Sequence, residues 1–385
     1  MVSNSFHRLL QTIFSLALMV VLVGCARENG GSGISANPVS SDRLFLDLSL
    51  EYIDTYELEV KEYGDTPVGG LSALTFDRVN NIYYAISDDR SNRAPSRFYT
   101  LTIDLSSTSI DNVEITNVTT LKQSNGEVYP PNAIDGEGLA ISPRGTLFLS
   151  SEGDVDRNIA PFIGEYDRSS GKQIAPVPLP QRFLPDENKT KGIRNNLGFE
   201  PLAVGGNALA PSDPFRLFTA TESSLAQDGE IAIDQEAPIR LLHYVINPIG
   251  SPVLISENIY PLTAGTPDLL ANGLTELAIL PQEGYLLSLE RTFSFFGAGA
   301  KIYQVVIADA TDTSSDLSLA GIDFKPVQKQ LLVDLSTLGI ELDNLEGMTV
   351  GPTLPDGSSS LLLISDDNFS QDQVTQIMLF KLKEN

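Results

Sequence analysis

The chain has 385 residues, 42% of them hydrophobic, so it is long enough to bury a large core. Fifty acidic residues against 25 basic ones give a formal net charge of -25, which disfavours nucleic acid and anionic membrane surfaces as partners. One cysteine and two histidines exclude an internal disulfide and disfavour a zinc site.

The N-terminus carries a targeting signal. An apolar run over residues 13–23 is too short for a membrane span, and it ends in "LVGC", which resembles the lipobox of bacterial lipoproteins. This pattern predicts a signal peptide over residues 1–24, lipidation of Cys25 and a flexible Gly/Ser/Asn-rich linker that ends at residue 43. An ordinary signal peptide is the alternative. We expect a cell-envelope protein, anchored by lipid on the outer side of the cytoplasmic membrane or on the outer membrane.

A unit of two short apolar strands joined by a turn recurs five times after the linker. The copies are at 69–90, 135–154, 198–224, 272–293 and 344–370. The equivalent residues Leu74, Leu139, Leu202, Leu277 and Met348 are separated by 65, 63, 75 and 71 positions. Long repeats built from strands are typical of β-propeller blades.

Strand counts suggest how such a ring would close. Two further strands follow each of the first four copies, whereas one follows the fifth, and residues 44–60 provide an additional strand. We therefore predict an all-β fold over residues 44–385: a β-propeller of five four-stranded blades, closed by the N-terminal strand. A sixth, degenerate blade and two tandem β-sandwiches are the alternatives.

Acidic residues flank the first two strands of the repeat. These strands are antiparallel, so the start of the first and the end of the second lie at the same edge of the blade. The first position holds Ser72, Glu137, Glu200, Thr275 and Glu346, and Glu276 follows Thr275. The second position holds Asp89, Glu152, Glu222, Glu290 and Asp367, with Asp88 and Asp366 beside two of them. We expect these carboxylates to converge around one mouth of the central channel.

Such crowding requires counter-charge, because two carboxylates about 4 Å apart repel by roughly 4 kcal/mol at an effective dielectric constant near 20. Oxygen ligands from several blades suit Ca²⁺, whose coordination is flexible. The predicted metal ligands are Asp88, Asp89, Glu137, Glu152, Glu200, Glu222, Glu290, Glu346, Asp366 and Asp367. Capped turns and solvated loops are the structural alternative for each acid taken singly.

Two arginines adjoin the second position, Arg90 and Arg291, and guanidinium groups beside bound cations could hold a phosphoryl group. The candidate catalytic residues are therefore Arg90, Arg291, Glu152 and Glu222. The histidine of the mature chain, His243, lies in the apolar run "LLHYVI" and is predicted to be structural.

The order of "GGLSALTFD", "DGEGLAIS", "GFEPLAV", "LTELAILP" and "NLEGMTVG" resembles the bacterial phytase-like family, also called esterase-like activity of phytase. The resemblance covers nearly all of residues 45–383. It implies kinship with β-propeller phytases, which have six blades and hydrolyse phosphomonoesters with several Ca²⁺ ions in an acidic mouth. Glu137, Glu200 and Glu346 would then be the strand-leading glutamates, and the remaining predicted ligands would occupy the metal-rich mouth.

We therefore expect a monomeric Ca²⁺-dependent phosphoester hydrolase that acts on a small-molecule or phosphorylated substrate and contacts the membrane only through its lipid. A non-catalytic, Ca²⁺-stabilised binding propeller and a lactonase-like esterase are the alternatives.

Overall fold

The computed structural model describes residues 44–205, 210–230 and 232–384. The predicted signal peptide, Cys25 and linker lie outside these residues. No helix of the described ranges is long and apolar enough to cross a membrane. The helical elements found there are short 3-10 turns at Gln181–Phe183, Ala226–Asp228 and Leu335–Leu338.

Strands dominate the described residues. In chain order they are β1 (Leu48–Glu57), β2 (Glu62–Tyr63), β3 (Thr66–Pro67), β4 (Leu71–Asp77), β5 (Ile82–Ser87), β6 (Arg97–Leu105), β7 (Ile110–Thr120), β8 (Gly136–Ile141), β9 (Leu147–Ser151), β10 (Phe162–Tyr166) and β11 (Gln173–Val177). The second half holds β12 (Phe199–Gly205), β13 (Phe215–Thr221), β14 (Ala237–Ile246), β15 (Val253–Leu262), β16 (Leu269–Ile279), β17 (Tyr285–Ser294), β18 (Gly297–Val306), β19 (Gln328–Asp334), β20 (Asn344–Thr353), β21 (Ser359–Asp366) and β22 (Gln376–Glu384).

These strands form five four-stranded antiparallel sheets, and β2 and β3 form a small separate hairpin. Blades 1 to 4 each take four consecutive strands, beginning with β4, β8, β12 and β16. Blade 5 has the order β20-β21-β22-β1, so the N-terminal strand completes the C-terminal blade. Its pairing runs from Leu48 opposite Glu384 to Glu57 opposite Gln376. The predicted closure is therefore confirmed.

Five clusters of buried hydrophobic residues lie one between each pair of neighbouring blades. The cluster between blades 5 and 1 joins Leu362 to Leu74, and the cluster between blades 1 and 2 joins Ile86 to Leu149. Three similar clusters join blades 2 and 3, 3 and 4, and 4 and 5. Since the fifth blade packs on the first, the ring closes with five blades. This confirms the predicted propeller and shows that a sixth blade and tandem sandwiches were wrong alternatives.

Burial of the strands follows from their place in the blade. An inner strand is covered by the neighbouring blades on both faces, and β4 is accordingly buried at every residue. The outer strand β7 instead reads "IDNVEITNVTT", in which buried positions are interspersed with exposed ones. Continuous apolar runs inside and mixed runs outside are what this packing requires.

Every inner strand is interrupted by a β-bulge. The pairing with the second strand shifts between Leu71 and Ala73, Gly136 and Leu139, Phe199 and Leu202, Leu274 and Glu276, and Leu345 and Gly347. A bulge leaves a residue out of the ladder and re-aims its side chain. The five intervals contain Ser72, Glu137, Glu200, Thr275 and Glu346, which are the residues predicted for the first position. The fold thus places these residues at one end of the channel, which we call the mouth.

Candidate metal centre

The bulges bring together the three glutamates of the first position. Glu137, Glu200 and Glu346 all line a cavity of about 760 Å³ at the mouth. Blade 1 has a hydroxyl at this position instead, and Ser72 Oγ donates a hydrogen bond to the carbonyl of Glu137 at 3.0 Å. The first position is therefore a partial ring of carboxylates. In blade 1, where the carboxylate is missing, a side chain–backbone hydrogen bond joins the inner strand to that of blade 2.

Strand register identifies the second position. In blades 2 and 3, Ser151 opposes Gly136 and Thr221 opposes Phe199, so Glu152 and Glu222 come directly after the last paired residue. In the other blades, the equivalent residue follows the residue that is paired with the last residue before the bulge. The equivalent residues are Asp88 in blade 1, Arg291 in blade 4 and Asp366 in blade 5. The second position thus holds four carboxylates and one guanidinium group.

Three predicted ligands lie one residue away from this position and outside the cavity lining. Asp89 accepts a hydrogen bond from Arg97 Nη1 at 2.8 Å, and Glu290 is paired with Lys329. Asp367 Oδ1 accepts two backbone N–H groups at 2.9 and 3.0 Å. Glu290 and Arg291 are successive residues of β17, so their side chains point to opposite faces of the blade. Each of these carboxylates has a structural partner, and the structure does not place the three with the predicted ligands that line the cavity.

Glycines allow two of the remaining carboxylates to lie against the next blade. Gly198 donates its N–H to Glu152 Oε1 at 2.7 Å, and a Cβ there would lie 2.6 Å from Glu152 Cγ. A Cβ at Gly273 would lie 2.0 Å from Glu222 Oε1. The sequence therefore requires glycine at both positions because a carboxylate occupies the space of a side chain.

The carboxylates form two groups of three. Oxygen atoms of Asp135, Glu137 and Glu152 lie within 4.8 Å of one another, as do oxygen atoms of Glu152, Glu200 and Glu222. Glu152 belongs to both groups. Asp135 was not among the predicted ligands, although it stands two residues before Glu137 in "DGEG". The arrangement can hold cations between blades 2 and 3.

Burial and mutual repulsion raise the pKa values of these acids. Burial, followed by repulsion from Glu346 and Asp135, raises the pKa of Asp88 to about 8. Burial, followed by repulsion from Asp135, raises the pKa of Glu152 to about 8. The pKa values of Glu137 and Glu200 are raised well above their usual range, again mainly by burial. A cluster with such pKa values favours protons or metal ions as its neutralising partners.

The two predicted arginines do lie at the mouth. Arg291 Nη2 donates to Glu222 Oε1 at 3.0 Å, and its Nη1 donates to Glu346 Oε1. Arg90 Nη2 lies 2.6 Å from Asp135 Oδ2. These two guanidinium groups share the mouth with twelve carboxylates. Ten line the cavity: Glu57, Asp88, Glu137, Glu152, Glu200, Glu341, Asp343, Glu346, Asp366 and Asp372. Asp135 and Glu222 are not part of the lining, but they contact Arg90 and Arg291. Negative charge therefore exceeds the basic side chains around the cavity.

Two other titratable groups that the sequence singled out are structural. The ring of His243 stacks on Phe218 with centroids 4.1 Å apart, and burial lowers its pKa to about 4. Glu276 Oε1 accepts the backbone N–H groups of Leu202 at 3.0 Å and Leu277 at 2.9 Å, so it joins the inner strands of blades 3 and 4.

Comparisons with known proteins identify a family and several similar solved structures. The profile of the Phytase-like family, described as "Esterase-like activity of phytase", matches residues 66–369. No curated protein matches the chain.

Similar solved structures include an endo-arabinase and two α-L-arabinofuranosidases. An endo-arabinase from Bacteroides thetaiotaomicron is 12% identical, with 81% of this chain and 93% of that chain covered at a TM-score of 0.40. The catalytic domain of the Coprinopsis cinerea GH62 α-L-arabinofuranosidase is 10% identical, with 87% and 97% covered at a TM-score of 0.43. The α-L-arabinofuranosidase PaAbf62A from Podospora anserina is 8% identical, with 86% and 96% covered at a TM-score of 0.39.

Proposed function

Because the chain belongs to the Phytase-like family, we propose that it is a Ca²⁺-dependent hydrolase of phosphoesters with its metal centre between blades 2 and 3. The observation that carries this proposal is that two clusters of three carboxylates share Glu152. Two adjoining cation sites beside two arginines suit phosphoryl transfer to water. The negative charge on the transferred phosphoryl group and the charge that develops on the leaving oxygen can both be neutralised there.

The donor set fits calcium. Among the described residues that line the cavity, none is a histidine or a cysteine, and the charged donors are carboxylates. Calcium takes six to eight oxygen ligands at about 2.3–2.6 Å, so oxygens up to 4.8 Å apart can share one ion. In addition, Asp88 Oδ1 is buried without a hydrogen-bond partner, as expected of an oxygen that takes a cation or a proton.

When bound, Ca²⁺ would neutralise the phosphoryl oxygens and lower the pKa of a water molecule. The side chains of this protein position the substrate. Arg291 is held between Glu222 and Glu346, and Arg90 is held by Asp135, so both guanidinium groups have fixed orientations. Pre-oriented N–H donors stabilise charge in the transition state without the cost of reorganisation. We assign the metal-holding role to Glu152 and Glu222, and the phosphoryl-binding role to Arg90 and Arg291.

The proposal includes an anchored, extracytoplasmic location, which rests on the lipobox-like "LVGC" that ends at Cys25. Such a location matches the ligand, because free calcium is abundant outside the cytoplasm. We propose that the propeller acts there as a monomer on small phosphorylated molecules, with lipid as its sole contact to the membrane.

A calcium-titrated activity assay tests this function. Purified protein, first stripped with EDTA, is assayed with an aryl phosphate, phytate, an aryl ester and a lactone from zero to millimolar Ca²⁺. We expect Ca²⁺-dependent release of phosphate, and a loss of at least a hundredfold in kcat/KM in Glu152→Gln. The matched control is Glu283→Gln in an exposed turn, which should act as wild type.

The possible outcomes separate the alternatives. Thermal stabilisation by Ca²⁺ with no turnover of any substrate would replace this function with that of a non-catalytic binding propeller. Turnover of the lactone or the aryl ester alone would assign the same site to carboxyl esters. Activity that persists in EDTA would show that the carboxylate groups are not the metal centre of the reaction.

A further inference from the structure

The mouth cavity has two chemically different walls. One wall carries the carboxylates and arginines described above. The other contains an apolar patch from blade 4 and the adjoining loops of blade 5, which we call the apolar wall. Its residues are Ala271, Phe293, Gly297, Ala298, Leu342 and Val374. The chain neighbours of the two loop residues, Glu341, Asp343 and Gln373, line the cavity as well, so the patch is apolar throughout only on blade 4. A site that only had to bind metal ions and phosphate would have no use for this second wall.

Strand register builds the centre of the apolar wall. Phe293 on β17 is paired with Ala271 on β16 and with Ala298 on β18. The three side chains form a row across the blade, in which a large ring lies between two methyl groups. The small neighbours leave the ring uncovered, and Phe293 is 50% exposed. An aromatic ring in a cavity wall with this exposure offers a contact surface for an apolar group.

The same strand carries the anion-binding group. Arg291 and Phe293 are two residues apart on β17, so their side chains point to the same face and are separated by about 7 Å along the strand. Both line the cavity. A ligand with a phosphoryl group at one end and an apolar body at the other would contact both residues together.

We propose that the apolar wall is the binding site for the leaving group, and that the substrates are monoesters of phosphate with aryl or other apolar alcohols. This rests on the proposed function, and it names the substrate class of the same site. Charge favours the same class. A monoester brings at most two negative charges to a cavity rich in carboxylates, whereas a polyphosphorylated sugar or cyclitol brings many more.

A binding experiment tests the apolar wall without depending on turnover. The probe is a naphthyl phosphonate, which resists hydrolysis and is fluorescent, and the competitor is methylphosphonate. Both are titrated in millimolar Ca²⁺ by fluorescence anisotropy. We expect Phe293→Ala to reduce the ratio of naphthyl- to methylphosphonate affinity about tenfold, as for the loss of one aromatic contact. Phe296→Ala is the matched control, because Phe296 lies at the tip of the same hairpin, is 90% exposed and does not line the cavity.

Kinetic measurements then separate this inference from the proposed function. Wild-type kcat/KM should be at least tenfold higher for naphthyl phosphate than for methyl phosphate, and Phe293→Ala should reduce this preference. An equal affinity ratio in wild type and Phe293→Ala, or an equal loss in Phe296→Ala, would overturn the apolar site. Binding that depends on Phe293 without hydrolysis of either ester would retain the apolar site and reject the hydrolase. Hydrolysis without a preference for naphthyl phosphate would retain the hydrolase and reject the apolar site.

Discussion

Glu152→Gln should change the stability of the protein in opposite directions without and with calcium. Glu152 is 2% exposed, and burial together with Asp135 raises the pKa of its carboxyl group from 4.5 to about 8. Between these two values the folded protein holds a proton that the unfolded chain has released. Raising the pH through this window therefore lowers the free energy of unfolding of the metal-free protein.

The size of the effect follows from the displacement of the pKa. The raised pKa of Glu152 lowers the free energy of unfolding of the metal-free protein by about 5 kcal/mol at pH 8.5 and by less than about 1 kcal/mol at pH 5. Both values are relative to a protein in which this side chain carries no charge. An entropy of unfolding near 2.1 cal/mol/K per residue over the roughly 340 residues of the propeller converts 5 kcal/mol into about 7 °C. The amide that Glu152→Gln introduces removes the charge, while its carbonyl oxygen can still accept the N–H of Gly198. In EDTA the variant should therefore melt about 7 °C above wild type at pH 8.5 and within about 1 °C of it at pH 5.

Calcium should reverse this order, because it binds the folded wild type through a carboxylate that the variant lacks. A Ca²⁺ concentration a thousand times the Kd adds about 4.1 kcal/mol for each site, so filling the two sites that share Glu152 adds about 8 kcal/mol, more than the difference of about 5 kcal/mol at pH 8.5. Thermal melts in EDTA and in Ca²⁺ at pH 5 and 8.5 measure all four conditions, with Glu283→Gln as the control. The reasoning is refuted if the wild-type and Glu152→Gln melts keep the same pH dependence in EDTA, or if Ca²⁺ stabilises both proteins equally.

Three further predictions concern the mouth and the N-terminus. Arg291→Lys keeps the charge but loses the bidentate fork, so kcat/KM for an aryl phosphate should fall at least tenfold while the stabilisation by Ca²⁺ remains; unchanged kinetics would remove Arg291 from the site. Gly198→Ala places a Cβ against the side chain and backbone of Glu152, so urea denaturation should show a loss of about 1–3 kcal/mol together with weaker Ca²⁺ binding, and wild-type values would contradict the close approach. Cys25→Ser should abolish incorporation of labelled palmitate in cells, whereas retained label would place the lipid elsewhere.

The blade pattern was predictable from the sequence because it depends on local signals. Apolar runs punctuated by turns repeat at 63 to 75 residues, and the surplus N-terminal strand matches the deficit of the last repeat. Glu137, Glu200 and Glu346 were also predictable, since each stands at a constant distance from the leucine or methionine of its repeat.

The second position was not fully predictable, because its register depends on the bulges. Adjacent acids at 88–89 and 366–367 fit the pattern equally well, and in blade 4 a glutamate precedes the equivalent arginine. A bulge is one extra residue in a strand, and the sequence does not mark which residue the partner strand skips. Apolar residues of the mouth were missed for a different reason. Phe293 and Ala298 meet in the cavity through cross-strand pairing, and their spacing along the chain does not indicate it.

The second position holds an arginine, Arg291, in blade 4 and a carboxylate in the other four blades, and this difference makes the mouth asymmetric. Five equivalent acids would make a symmetric channel with no preferred place for a substrate. With arginine in blade 4, the two groups of three carboxylates lie on the side of blades 2 and 3, whereas the apolar row lies on blade 4. Arg291 stands between these two sides, because it contacts Glu222 of blade 3 and precedes Phe293 by two residues. In the proposed function, one departure from the repeat therefore sets the order of the metal ligands, the phosphoryl-binding arginine and the apolar wall around the mouth. Arg291→Glu should therefore strengthen the binding of cations and abolish the binding of a phosphonate.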